Sequence, residues 1–159
     1  MRERPQHQIS RKARTVWQIT GLLTALVFIL ADVGIGFLIA YGVWPFWTAM
    51  IGAAGTLLYL VIGVWLVPMY RQRFWRYEVH EHEIDLQHGW LNVQRTIIPM
   101  VRVQHVDTKQ GPLLRKYELA TVEISTAATK HEIPALDMEE ADRLRDFISR
   151  LARVTDDDV

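Results

Sequence analysis

Cysteine is absent from this chain of 159 residues. That excludes disulfides, a thiolate nucleophile, and any zinc or iron–sulfur centre held by sulfur. Charge is missing locally: between positions 16 and 69 the only Asp, Glu, Lys, Arg or His is Asp32. A soluble fold of this size cannot wrap so long an uncharged stretch on all sides, so a purely soluble protein is not expected. There is no glycine-rich loop to cradle phosphates, and no basic stripe interleaved with aromatics of the kind nucleic-acid binding needs. No Ser-His-Asp set can be nominated, and no catalytic residue is expected.

What the uncharged stretch does contain is two apolar runs, at residues 16–41 and 46–67, each with roughly the 20 residues needed to cross a hydrocarbon core as a helix. The first starts too late and runs too long for a cleaved signal peptide. Tyr41, Gly42, Trp44, Pro45 and Trp47 lie between the runs. Gly and Pro break the helix there, and the aromatic rings suit the headgroup layer, so a tight hairpin turn is expected. Arg2, Arg4, Arg11, Lys12 and Arg14 precede the hairpin, Arg71, Arg73 and Arg76 follow it, and the turn has no basic residue. By the positive-inside rule both termini are expected in the cytoplasm of an inner-membrane, multi-pass protein. Asp32 within the first run is a costly residue in lipid and therefore a candidate site. It is expected to be neutral or hydrogen-bonded to a hydroxyl of the second run, such as Thr48 or Tyr59. Gly34, Gly36, Gly52, Gly55 and Gly63 offer smooth faces for helix packing.

From Trp75 the pattern changes to short segments alternating with period two, the signature of half-buried strands. Residues 75–80, 83–88, 90–98, 101–108, 121–125 and 130–133 are the expected strands, forming a curved antiparallel sheet or partial barrel. A final helix begins near Asp137 with Glu139 and Glu140 in its first turn, where the helix dipole favours acids. Ala141, Leu144, Phe147, Ile148 and Leu151 form the apolar stripe expected to cap the sheet. His80 and His82 share a strand face but lack a third ligand, so they are expected as exposed turn residues with no metal.

Several motifs in combination carry a resemblance. They are Gly89-Trp90, Ile98-Pro99, Arg102-Val103-Gln104-His105-Val106-Asp107, Gln110-Gly111-Pro112-Leu113 with Arg115, Leu119-Ala120-Thr121-Val122, Ile133-Pro134 and a closing Glu-Ala-Asp-Arg-Leu helix. Together with the paired apolar runs, they resemble the bacterial pleckstrin-homology-like membrane proteins of the YdbS-like family over nearly the whole chain. The resemblance implies an α+β pleckstrin-homology-like (PH-like) sheet capped by a C-terminal helix, and no established enzyme activity. Glu118 departs from it, standing where such sequences usually have Gly, so the turn there is expected to be built differently.

The expected organisation is therefore a basic cytoplasmic segment (1–15), a two-helix transmembrane hairpin (16–70), a cytoplasmic PH-like domain (71–154) and an acidic tail (155–159). From Tyr77 onward ten Lys and Arg face sixteen Asp and Glu, so the soluble part is acidic although the whole chain is neutral. An acidic domain already tethered to the bilayer is on average repelled by anionic headgroups. The leading expectation is a non-enzymatic, membrane-anchored interaction or assembly module, with no cofactor, whose partner is another protein or a second copy and not a nucleic acid. Lipid-headgroup binding is the alternative, and a small transport-related subunit using Asp32 is a weaker one. The candidate binding residues are Lys109, Arg115 and Lys116, around the Gly111-Pro112 turn.

Overall fold

A computed structural model describes residues 5–90 and 92–157. The chain divides into two compact units, one of residues 14–69 and one of the N-terminal residues through 13 together with those from 70 onward.

The first unit is the hairpin. Helix α1 covers Lys12–Ala40; after the turn, α2 (Trp47–Tyr59), a π-helical segment (Leu60–Leu66) and α3 (Val67–Phe74) follow without interruption. Lys12–Ala40 and Trp47–Phe74 are both long and apolar enough to cross a membrane. Their large side chains point outward: Leu22, Leu26, Val27, Leu30, Leu57 and Leu58 are each more than half exposed. Bare apolar surface of this extent is stable against lipid and not against water. The helices run antiparallel, with Gly21 beside Val64, Phe28 edge-on to Tyr59 at 5.0 Å between ring centroids, and Asp32 beside Gly52 and Thr56.

Among the described residues the second unit holds seven strands. β1 (His7–Gln8), β2 (Arg76–Val79), β3 (Glu83–His88) and β4 (Gln94–Pro99) form one antiparallel sheet in that order; β5 (Val103–Lys109), β6 (Leu119–Thr126) and β7 (Lys130–Asp137) form another. The expected curved antiparallel sheet or partial barrel is built from two sheets, parted where Pro99 ends β4 and a 3₁₀ turn, Met100–Arg102, redirects the chain. A short helix α4 (Pro112–Lys116) bridges β5 and β6, and α5 (Met138–Asp157) closes the unit. Alternation sorts the faces. Ile84 and Leu86 of β3, Val122 and Ile124 of β6, and Ile133 of β7 are at most 3% exposed and form the core with Ala141 and Ile148 of α5.

Two features lay beyond the local pattern. Residues 5–13, expected as a separate basic segment, fold into the second unit. His7 pairs with Tyr77 and Gln8 with Arg76, the Ser10 N–H donates to the Ala135 carbonyl, and Pro5 and Ile9 are buried. The first strand of the sheet therefore precedes the hairpin in sequence. The second feature is the turn after α4, where Glu118 has φ +57°. This left-handed geometry suits glycine, so the turn keeps the backbone shape that a glycine would give and carries Glu118 in strain.

Candidate functional site

The three basic residues expected to form a cluster are distributed over different surroundings. Lys109, at the end of β5, is committed to a carboxylate: its ammonium is hydrogen-bonded to Glu123 of β6, whose other oxygen accepts from Lys130 Nζ at 3.0 Å. Glu123 lies in register between Asp107 and Glu132 on neighbouring strands, and its side chain is only 4% exposed. Three acids in one cross-strand row repel one another, and the two lysines offset that repulsion. The hydrogen bond from Lys109 and then that from Lys130 hold the Glu123 carboxyl below its ordinary range, and the same contact raises Lys109. In the other sheet the 3%-exposed Asp85 is likewise matched by Arg95, whose Nε donates to it at 3.0 Å.

Arg115 and Lys116 are exposed on α4. Arg115 lines a cavity of about 510 Å³ with Lys12, Gln110, Glu118, Asp137 and Arg143; Lys109 and Lys116 are not among its walls. Glu139 and Glu140 also border it, so acids outnumber bases there, a poor setting for a phosphate group. Asp137, near which α5 is expected to begin, accepts from Ser10 Oγ at 3.3 Å and sits 3.5 Å from Lys12 Nζ.

A second concavity, of about 560 Å³, lies between α5 and β2. Its apolar surface comes from Tyr77, Val79, Leu144 and Phe147, with Glu140, Arg143, Asp146 and Arg150 around it. Tyr77 packs against the His7 ring at 5.6 Å and donates its hydroxyl hydrogen to Glu140 Oε1 at 2.6 Å. Burial first, and the Glu140 carboxylate second, push the tyrosine hydroxyl well above its ordinary pKa, so it stays a donor. Phe147, expected in the core, is 41% exposed and forms part of this groove. The helical wheel explains it. Ala141 and Ile148, both fully buried, define the centre of the α5 stripe, and Phe147 is one residue, about 100°, away from Ile148. That offset was the signal available in the sequence.

Asp32 does find a hydroxyl, but on Thr56, whose Oγ1 donates to Asp32 Oδ2 at 2.7 Å. Thr48 donates instead to the Pro45 carbonyl at 2.7 Å, and Tyr59 packs on Phe28. The antiparallel register puts Thr56 opposite Asp32, and Gly52 makes room: a Cβ there would collide with Asp32 Oδ1. Of the other glycines expected to smooth the packing, Gly34, Gly36 and Gly55 face open space. His80 and His82 are exposed in the β2–β3 turn.

Comparison with known proteins agrees with this architecture. The family model described as bacterial PH domain matches residues 16–152. The chain is 57% identical, over 100% of both sequences, to the UPF0699 transmembrane protein YdbS of Bacillus subtilis (strain 168). No solved structure matches. Two sheets with a closing helix, a membrane-length hairpin and a family match running through both make this chain a membrane-associated, PH-like protein that belongs to the bacterial PH domain family.

Proposed function

We propose that the protein is a two-pass inner-membrane protein with both termini in the cytoplasm, whose PH-like unit is a non-enzymatic assembly module that pairs with a second copy of the chain through the α5–β2 groove. The observation that carries this reading is Phe147: a large aromatic side chain, 41% exposed, beside Leu144 and Val79 in an open groove of about 560 Å³. Buried aromatic anchors in pockets supply most of the energy of protein interfaces. Around the groove stand Glu140 and Asp146 against Arg143 and Arg150, two charges of each sign. A two-fold contact places a surface against itself, and only a surface bearing both signs can do so without repulsion. Anchoring in one membrane raises the effective concentration of the copies.

Support for the topology comes from both sequence and fold. The β1–β2 pairing joins residues on either side of the hairpin, which supports an even number of crossings. The basic residues flank that end of the hairpin, and none lies in its turn. Lipid-headgroup binding loses support because Lys109 is committed to Glu123. The test is a photoreactive benzoylphenylalanine at position 147, irradiated in native membranes. A product of twice the chain mass supports self-assembly. A product with a different protein leaves the module reading and replaces the partner, and adducts with lipid alone overturn both.

A further inference from the structure

The β3–β4 connection is shaped to project an apolar tip. Gly89 has φ +104°, and a Cβ there would run into the Asn92 carbonyl oxygen, so only glycine permits the turn to close this tightly. Just past it Trp90 is 53% exposed and Val93 is 56% exposed. Two large apolar side chains at a hairpin tip are costly in water unless something covers them.

The Trp90 ring is also stacked on Tyr70, with centroids 4.6 Å apart and planes 16° from parallel, and Tyr70 in turn stacks on Phe74 at 6.2 Å. Tyr70 belongs to the helix that leaves the second apolar run. That run ends at Val67 and has roughly the 20 residues that cross a hydrocarbon core. Tyr70 follows the end of the second apolar run by three residues, where aromatic side chains suit the headgroup layer. Arg71 and Arg73 are on the same helical turn. Aromatic rings with arginines beside them are what a polypeptide presents to that layer.

We propose that the β3–β4 tip is a lipid contact, with Trp90 and Val93 seated at the headgroup–acyl boundary of the leaflet from which the second span emerges. The occupant is phospholipid of the protein's own membrane. The contact would fix how the PH-like unit stands on the bilayer and hence which face is presented to a partner; it stands independently of the α5–β2 groove.

Because the chain has no cysteine, a single Cys introduced by Val93→Cys can carry a nitroxide without background. The full-length protein is placed in nanodiscs of phosphatidylethanolamine and phosphatidylglycerol. Collision of the label with oxygen, which concentrates in lipid, is compared with collision with a water-soluble nickel chelate. A label at Arg115→Cys, an exposed position on α4, is the aqueous reference. The expected oxygen-to-nickel ratio at 93 is at least several-fold above the reference, and Trp90→Ala is expected to lower it toward the reference value. A ratio at 93 equal to the reference overturns the proposal, since the tip is then in water. Low collision with both reagents also overturns it, since the tip is then covered by protein. The main readout keeps Trp90 in place, so it does not depend on the Trp90→Ala protein folding.

Discussion

Replacing Ile148 by alanine should cost the soluble unit about twice as much stability as replacing its neighbour Phe147. Ile148 is fully buried where α5 crosses the core. Truncation removes three carbons, worth roughly 2.4 kcal/mol of transfer at about 0.8 kcal/mol each. It also leaves a cavity, which brings the expected loss to about 3–4 kcal/mol. Phe147 is larger, but 41% of it is already exposed and it borders an open groove. Full burial of such a side chain is worth about 1.5–3 kcal/mol, so three fifths of that, with no closed cavity, gives about 1–2 kcal/mol. For a unit of about 100 residues the gap corresponds to roughly 10 °C in melting temperature. The assay is pulse proteolysis of the full chain in detergent across a urea series, reading the protected fragment that starts near Tyr77. Equal losses for the two variants would place Phe147 in the core and remove the groove on which self-assembly rests.

Three other outcomes are expected. Glu118→Gly should raise the urea midpoint, a net gain of up to about 1 kcal/mol, because φ +57° is strained for Glu and free for Gly; Glu118→Ala, with the same strain, should not. The Glu123 carboxyl is held below its ordinary range by Lys109 and Lys130, so its contribution is complete above the unfolded-state value and is lost as pH falls through the folded one. Urea midpoints measured from about pH 6 downward should therefore fall more steeply for the native chain than for Glu123→Gln, and parallel curves would refute this. Asp32→Asn should leave insertion and folding intact, since an amide can still bond to Thr56, whereas Thr56→Val should reduce the thermal stability of the hairpin. Loss of a measurable proton flux in Asp32→Asn would replace the anchor reading with a transport one.

How legible these features were depended on the range of the interaction behind each. The hairpin could be read because lipid imposes one requirement on every residue in a run, about 20 apolar side chains, and that requirement is local. Strands β2 to β7 could be read because period-two alternation records which side chains meet the core. β1 could not: two residues pair with a strand nearly seventy positions later, and Pro5 and Ile9 amid polar neighbours give no periodic signal. The candidate site suffered in the same way. Lys109, Arg115 and Lys116 are close in sequence, but the β5–β6 register gives Lys109 to Glu123 and the turn into α4 sends the others elsewhere.

By itself the sequence determined the membrane-length hairpin, the β-rich unit with its closing helix and the acidic balance of the chain from Tyr77 onward, because these follow from composition and short-range periodicity. Only the tertiary structure decided that Thr56 and not Thr48 faces Asp32, that Phe147 is left in a groove, that Trp90 stacks on Tyr70, and that the strand before the hairpin completes the sheet after it. Each of these turns on register between distant segments, where a shift of one residue rotates a helix by about 100° or turns a strand over, and nothing within either segment fixes that choice.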